Sequence, residues 1–335
     1  MAALRRSFLL AKDARLKIAV LDDYQGAFRS LPSFSKLQNH EVSIFTDTEK
    51  DPVSLVGRLK DADAVVLTQQ RSLFPRQVIE RLPKLKFISQ TGRNVYHIDL
   101  LACNELGITV SAGSGISPAN STAELTWSLI LASRRHIPQE VQRMKEGKWQ
   151  HTVGFGLCEK VLGIYSYGRV GSIVAKVGAA FGMKVLCWGR QGSMEEARRA
   201  GFQIAPSREA FFENADVVSL HLALSETTRG IITSDDLNRM KSTALLVNTS
   251  RAPLIAEGSL VEALKKGHPG YAAIDVYEEE PIIDANHPLL QMSNVVCTPH
   301  LGYVEERVYA SIYSSAVDQI LAFAAGIPIN VVTQA

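Results

Sequence analysis

Cysteine is scarce in this chain and never paired. Cys103, Cys158, Cys187 and Cys297 are scattered, with no C-x-x-C spacing to suggest a metal or redox motif. Cys187 and Cys297 fall inside apolar runs, so the set reads as buried thiols in a reducing, cytoplasmic compartment. Charge of one sign is equally lacking. The 36 basic residues face 34 acidic ones without a long run of either, which argues against a nucleic-acid or membrane-surface partner. No stretch approaches the ~20 apolar residues of a membrane span. The opening MAALRRSFLLAKDARL is basic with a short apolar patch, Phe8 to Ala11, too short for a signal-peptide core, and residues 1–16 read as a flexible extension. Six histidines (His40, His97, His136, His151, His268 and His287) show no metal-ligand spacing, so no metal is expected.

What is present is length and apolar periodicity. The 335 residues, 46% of them apolar, suffice for two domains with substantial cores. Short apolar segments at Lys17 to Leu21, Glu41 to Phe45, Ala64 to Thr68, Leu85 to Ser89 and Ile108 to Val110 alternate with helical stretches such as Val53 to Leu59 and Arg76 to Arg81. That alternation predicts a parallel sheet covered on both faces. The glycine-, serine- and proline-bearing stretch at 115–121 then marks a hinge. Ser121 or Asn120 with Glu124 predicts a capping box for the apolar helix beyond it, and a second helix follows Pro138.

The next stretch, VLGIYSYGRVGSIVAKVGAAFGMKVLCWGR from Val161 to Arg190, organises the second domain. It reads as a strand, a glycine-bearing turn, a helix with Val170, Ile173, Val174, Val177 and Phe181 on one face, and a strand from Val185 to Trp188. The turn, Ser166-Tyr167-Gly168-Arg169-Val170-Gly171, carries two of the three glycines of the G-x-G-x-x-G dinucleotide fingerprint. A parallel sheet with a glycine-rich turn and no ligand remains the alternative at this point. Further strands at Ala215 to Leu220, Ala244 to Asn248, Tyr271 to Asp275 and Asn294 to Thr298 place Ser166, Gly189, His221, Thr249, Asp275 and His300 along the carboxyl-end rim, where such sheets bind ligands. A helix over Ser259 to Lys266 lies between, and a long one over Glu305 to Ala325 ends the chain.

Three groups near that rim can act together: Arg251 in VNTSRAP, Glu280 in DVYEEEP and His300 in CTPHLGY. A guanidinium holds a carboxylate bidentately and polarises an adjacent carbonyl. An imidazolium gives that carbonyl a proton, and a carboxylate partner keeps it charged and oriented. Taken singly, each could be a surface cation, one of three solvated glutamates or a structural histidine. Together they suit reduction of a 2-oxo acid.

The segments QTGRNVYHIDLLAC, NSTAELTWSLILASRR, VLGIYSYGRVG, ADVVSLHLALSETTRGIIT, MKSTALLVNTSRAPLI, AAIDVYEEEP and NVVCTPHLG resemble, in order, those of the D-isomer-specific 2-hydroxy-acid dehydrogenases, from about Lys17 to Gly302. The resemblance implies a Rossmann dinucleotide-binding domain over 119–301. It also implies a discontinuous flavodoxin-like substrate domain over 1–118 and 302–335. It implies that Arg251 binds and polarises the substrate and that His300, paired with Glu280, is the acid/base. The backbone of Gly92, Arg93, Asn94 and Val95 would bind the substrate carboxylate, with Arg71 at the mouth of the pocket. Thr122, Ser166, Tyr167, Gly168, Arg169, Val170, Gly189, Arg190, His221, Leu222, Thr249, Ser250 and Asp275 would line the cofactor, Asp275 facing the nicotinamide carboxamide. Closure about Thr122 and Leu301 would exclude water.

Departures from the family pattern carry expectations of their own. Ser166 replaces the first fingerprint glycine, Asn94 a loop glycine, Tyr96 a common aspartate, Ala223 a proline and Ala252 the glycine after the arginine. If Ser166 must take a glycine-like backbone, cofactor binding weakens at a cost of ~1 kcal/mol. At the end of the second strand Gly189 and Arg190 stand where a carboxylate would bind the ribose of NAD, so NADP is expected to be preferred, with NAD possible. Glu280 argues against a formate dehydrogenase-like branch, where glutamine stands. The alternative of another class is a cofactor-sensing binding protein or corepressor with little turnover. The expected partners are a small 2-oxo or 2-hydroxy acid and a second copy of the chain; the apolar surface of the Ser121 to Ser133 helix is compatible with such an interface and equally with burial inside one subunit.

Overall fold

The computed structural model describes residues 15–113 and 115–332. Most of the expected flexible extension, residues 1–14, lies outside the described residues. Leu16, expected to be part of that extension, is instead buried in the body of the protein. Its N–H donates to His40 Nδ1 and its carbonyl accepts from Glu41. The chain divides into two compact units, residues 1–117 with 305–335, and residues 118–304. The domain crossings read from the sequence stood at 118/119 and 301/302.

The first unit contains β1 (Lys17–Val20), β2 (Glu41–Ile44), β3 (Ala64–Leu67), β4 (Phe87–Gln90) and β5 (Thr109–Ala112), all parallel, in the order β2-β1-β3-β4-β5. This is the flavodoxin-like order. Strands β3 and β4 are buried at every position, as expected for a parallel sheet covered on both faces. Helix Pro52–Leu59 starts where it does because Asp51 accepts from Ser54 N–H and Pro52 presets the first turn. The C-terminal helix Glu306–Ala324 packs on this sheet. Phe323 stacks on Phe87 at 4.5 Å, and buried Gln319 accepts from the Ser89 hydroxyl and donates to Ala112 O.

The second unit contains β6 (Val161–Tyr165), β7 (Lys184–Trp188), β8 (Gln203–Ile204), β9 (Val217–Leu220), β10 (Leu245–Asn248), β11 (Tyr271–Ile274) and β12 (Val295–Cys297). All are parallel, in the order β12-β11-β10-β9-β6-β7-β8. The direction of winding reverses between β6 and β9, which marks the switch point of a Rossmann sheet. The edge strand β8 has two residues, too few for an apolar period to reveal it in the sequence.

Three local expectations are corrected. Helix Ala119–Arg134 is capped by Pro118 without a side-chain bond, so neither Asn120 nor Ser121 forms the expected capping box. Both lie inside the helix, and the Ser121 hydroxyl donates to Gly302 O at 2.9 Å. That helix buries Ala123, Trp127, Leu129 and Ile130 in its own unit, which is the second of the two readings its apolar surface allowed. Phe181 closes helix Arg169–Ala180 and is 44% exposed, covering Trp127 instead of entering the core. Among the thiols, Cys103 and Cys187 are buried and Cys297 is half-buried, while Cys158 is exposed. No helix of the described residues is long and apolar enough to cross a membrane.

Candidate active site

Immediately after β6, Ser166 takes φ 76°, a left-handed backbone that favours glycine. The turn is closed by Ser166 N–H donating to Trp188 O at 2.7 Å and by Gly168 N–H donating to Ser166 O at 3.0 Å. Gly171 has no alternative, because a Cβ there would lie 2.4 Å from Ser166 O. The serine thus adopts the glycine conformation while the third glycine preserves the close approach of helix and strand. The first-turn N–H groups of helix Arg169–Ala180 point out of its N-terminus, where an anion is favoured. Tyr167 N–H, earlier in the turn, donates to Ser193 Oγ at 2.6 Å. Beyond β7 stand Gly189 and exposed Arg190, which opens helix Gln191–Arg199, and no carboxylate occupies that strand end.

His221 follows β9. Its Nε2 lies 2.9 Å from Ser219 Oγ, and its shielded Nδ1 has no partner among the described residues. Burial pushes the imidazole down to about 3, so it is neutral. Leu222 is half-buried against the core of this unit.

Asn248 ends β10 and sets the bend at Thr249 to Arg251. Its Oδ1 accepts from Ser250 N–H and its Nδ2 donates to Arg251 O, each at 3.0 Å. The bend lets the Ser250 hydroxyl reach Leu220 O at 2.7 Å and sets Thr249 Oγ1 2.8 Å from Thr126 Oγ1. Arg251 is half-buried and donates from Nη1 to Ser250 O at 2.6 Å.

Asp275, beyond β11, is fully buried. Its Oδ1 accepts from the Thr298 hydroxyl at 2.6 Å and from Leu301 N–H at 2.7 Å, and its Oδ2 accepts from Gly302 N–H at 3.0 Å. Burial raises its carboxyl, against the pull of these bonds and of His300. Gly302 O in turn accepts from the Ser121 and Thr122 hydroxyls, both at 2.9 Å. The loop after β12 is therefore clamped at both ends, and within it His300 takes φ 53°.

His300 Nδ1 lies 2.6 Å from Glu280 Oε2, and Glu280 Oε1 accepts from Tyr277 N–H at 2.9 Å. An ionised carboxylate only accepts, so Nδ1 carries the proton and Nε2 is the atom that can exchange one. The structure thus brings together two of the three residues read as catalytic. Arg251 stands at the end of β10 in the same unit.

The remaining candidates lie in the first unit. In the loop after β4, a Cβ at Gly92 would sit 2.7 Å from Gln69 Oε1, the movable end of that side chain, so the two pack closely. Gly92 O accepts from Gly113 N–H at 3.0 Å, and Asn94 O accepts from Gln90 Nε2 at 3.0 Å. Arg93 and Asn94 are exposed, Val95 is half-buried and Arg71 is buried. Four residues that organise these sites were not singled out from the sequence: Ser193, Asn248, Tyr277 and Thr298. Only Asn248 and Thr298, polar residues at the ends of apolar strands, carried a signal. Among the described residues no group of three or more His, Cys, Asp or Glu could hold a metal.

Residues 127–302 match the family model described as D-isomer specific 2-hydroxyacid dehydrogenase, NAD binding domain. A crystal structure of an oxidoreductase from Ralstonia solanacearum is 49% identical, covers 94% of this chain and 97% of its own, and superposes with TM-score 0.89. A phosphoglycerate oxidoreductase from Vibrio cholerae O395 is 43% identical over 93% of this chain and 99% of its own, also with TM-score 0.89. Glyoxylate reductase of Aeropyrum pernix is 33% identical over 88% of this chain and 90% of that protein.

Proposed function

The chain belongs to the D-isomer-specific 2-hydroxyacid dehydrogenase family, and from that membership we propose that it reduces a small 2-oxo acid to the D-2-hydroxy acid, with His300 as the acid. The observation that carries this reading is the 2.6 Å contact between His300 Nδ1 and Glu280. It orients the ring and leaves Nε2 to give a proton to the substrate oxygen. Arg251 is assigned to the substrate carboxylate as a forked donor, and the Gly92 to Val95 backbone is assigned as a substrate-binding loop of the first unit. Asp275 fixes the loop that presents His300, and through the same loop it bears on the nicotinamide end of the site.

The second unit fits a nicotinamide dinucleotide. The left-handed turn at Ser166, the Cβ-free Gly171 and the open helix N-terminus form a cradle for a pyrophosphate. When bound, that cofactor supplies the hydride. Thr122, His221, Leu222, Thr249 and Ser250 are assigned to the nicotinamide side and Gly189 and Arg190 to the adenosine side. With no carboxylate there and a cation exposed beside it, NADP is preferred and NAD is the weaker alternative.

We assign the active form as a homodimer. Helix Ile137–Lys145 buries none of its residues. Ile137, Val141 and Met144 are exposed along it, and Trp149 and Val153 are exposed beyond it. Apolar surface of this kind marks an interaction site.

Loss of NADPH and NADH absorbance with a panel of 2-oxo acids tests the reading. Turnover is expected, faster with NADPH, and Arg251→Ala should lose it by orders of magnitude. Cofactor binding without turnover of any 2-oxo acid would instead support a cofactor-sensing protein of this fold.

A further inference from the structure

The rim of the first sheet carries a buried charge that the proposed mechanism does not use. Asp22 follows β1 in left-handed backbone, φ 59°, and its side chain is buried. Its Oδ1 accepts from the Thr48 hydroxyl, beyond β2, at 2.5 Å, and its Oδ2 accepts from the Ser72 hydroxyl, beyond β3, at 2.8 Å. The carboxylate therefore ties three adjacent strand ends together. Thr48 Oγ1 also lies 2.6 Å from the Tyr24 hydroxyl. Because the single Thr48 hydroxyl proton goes to Asp22, Tyr24 is the donor in that contact, and its oxygen keeps acceptor capacity.

Arg71 precedes Ser72 and is buried, and its charge opposes the upward push that burial gives Asp22. The segment that carries Arg71 and Ser72 also supports the Gly92 to Val95 loop. Gln69 Oε1 fills the space beside Gly92, Gln69 N–H donates to Thr91 Oγ1 at 2.9 Å, and Gln70 Nε2 reaches Asn94 O at 3.4 Å. The Asp22 cluster and that loop are thus parts of one framework within the first unit.

We propose that Asp22 offsets the charge of Arg71 beside the substrate loop, so that the enzyme selects 2-oxo acids whose remaining substituent is small and uncharged over those that carry a phosphate. This rests on the dehydrogenase reading and on the assignment of Gly92 to Val95 as a substrate-binding loop. A guanidinium without a counter-charge draws a phosphate strongly. Beside a buried carboxylate it presents little net charge, and a phosphate dianion brought near both is repelled by Asp22 at short range and low dielectric. A hydroxymethyl substituent meets no such repulsion and finds hydroxyl partners on this rim.

The test compares kcat/KM for glyoxylate, hydroxypyruvate and 3-phosphohydroxypyruvate, using the full chain and its preferred cofactor. Hydroxypyruvate should exceed its phosphorylated form by about tenfold or more. Asp22→Asn should shrink that ratio by about tenfold and Arg71→Gln should widen it. Opposite shifts identify charge, since a merely structural role would move the ratio the same way in both variants. A wild-type preference for the phosphorylated substrate, or parallel shifts, would overturn the proposal while leaving the dehydrogenase reading intact. Absence of turnover with these three and with every other 2-oxo acid of the panel, with both cofactors, would overturn the dehydrogenase reading itself. If Asp22→Asn does not fold, the wild-type ratio and the Arg71→Gln shift still decide.

Discussion

His300 Nδ1 lies 2.6 Å from Glu280 Oε2, and the other oxygen of the same carboxylate is held by Tyr277 N–H at 2.9 Å. The carboxylate is thus fixed before it fixes the imidazole. Glu280→Gln keeps the shape and removes the carboxylate that accepts from the imidazole. It should lower kcat for 2-oxo acid reduction by about 10²-fold or more, with a smaller change in KM. Steady-state kinetics check this, and a kcat close to wild type would remove Glu280 from the proton-transfer pair.

Ser166 at φ 76° holds a conformation that costs a non-glycine residue ~1 kcal/mol. Ser166→Gly relieves that strain, partly offset by the freer unfolded chain. The urea midpoint should rise. Titration of the cofactor with the same variant should give a tighter dissociation constant, and an unchanged constant would confine the strain to the fold.

Two imidazoles should make the fold acid-sensitive. His97 is buried with neither ring nitrogen partnered among the described residues, and burial pushes it down to about 4 from 6.5. The unfolded chain therefore binds a proton that the folded chain refuses between those values. Stability is full above pH 6.5 and falls as pH drops toward 4, by up to ~3 kcal/mol from this residue. His221, down to about 3, extends the loss to lower pH. Urea denaturation at pH 8 and pH 5 should show the difference, and His97→Leu should reduce it. An equal pH dependence in the variant would contradict this account.

Thiol labelling should sort the four cysteines by exposure. Cys158 is exposed and should react first with a disulfide reagent, with half-buried Cys297 slower. Cys103 and Cys187, pushed up to about 12 by burial, should resist until the chain unfolds. Mass spectrometry of labelled peptides reads the order directly. Early modification of Cys187 would mean that the β7 core opens in the native state.

The sequence by itself determined the two parallel sheets and the rim on which the candidate groups stand. Apolar strands of four or five residues, spaced by helices, leave few other ways to bury β3, β4 and β9, which are closed to solvent at every position. The positions of Arg251, Glu280 and His300 were legible because each follows such a strand, and the end of a parallel strand is a place that periodicity locates. The tertiary structure alone decided what each polar group does, because hydrogen-bond partners close in space are distant in the chain. The Ser121 hydroxyl looked like a local cap but serves Gly302, 181 residues away. Asp275 stood as a lone acid after a strand, yet it clamps a loop that begins 23 residues later. Asp22 carried no signal until folding brought Thr48 and Ser72 onto its two oxygens.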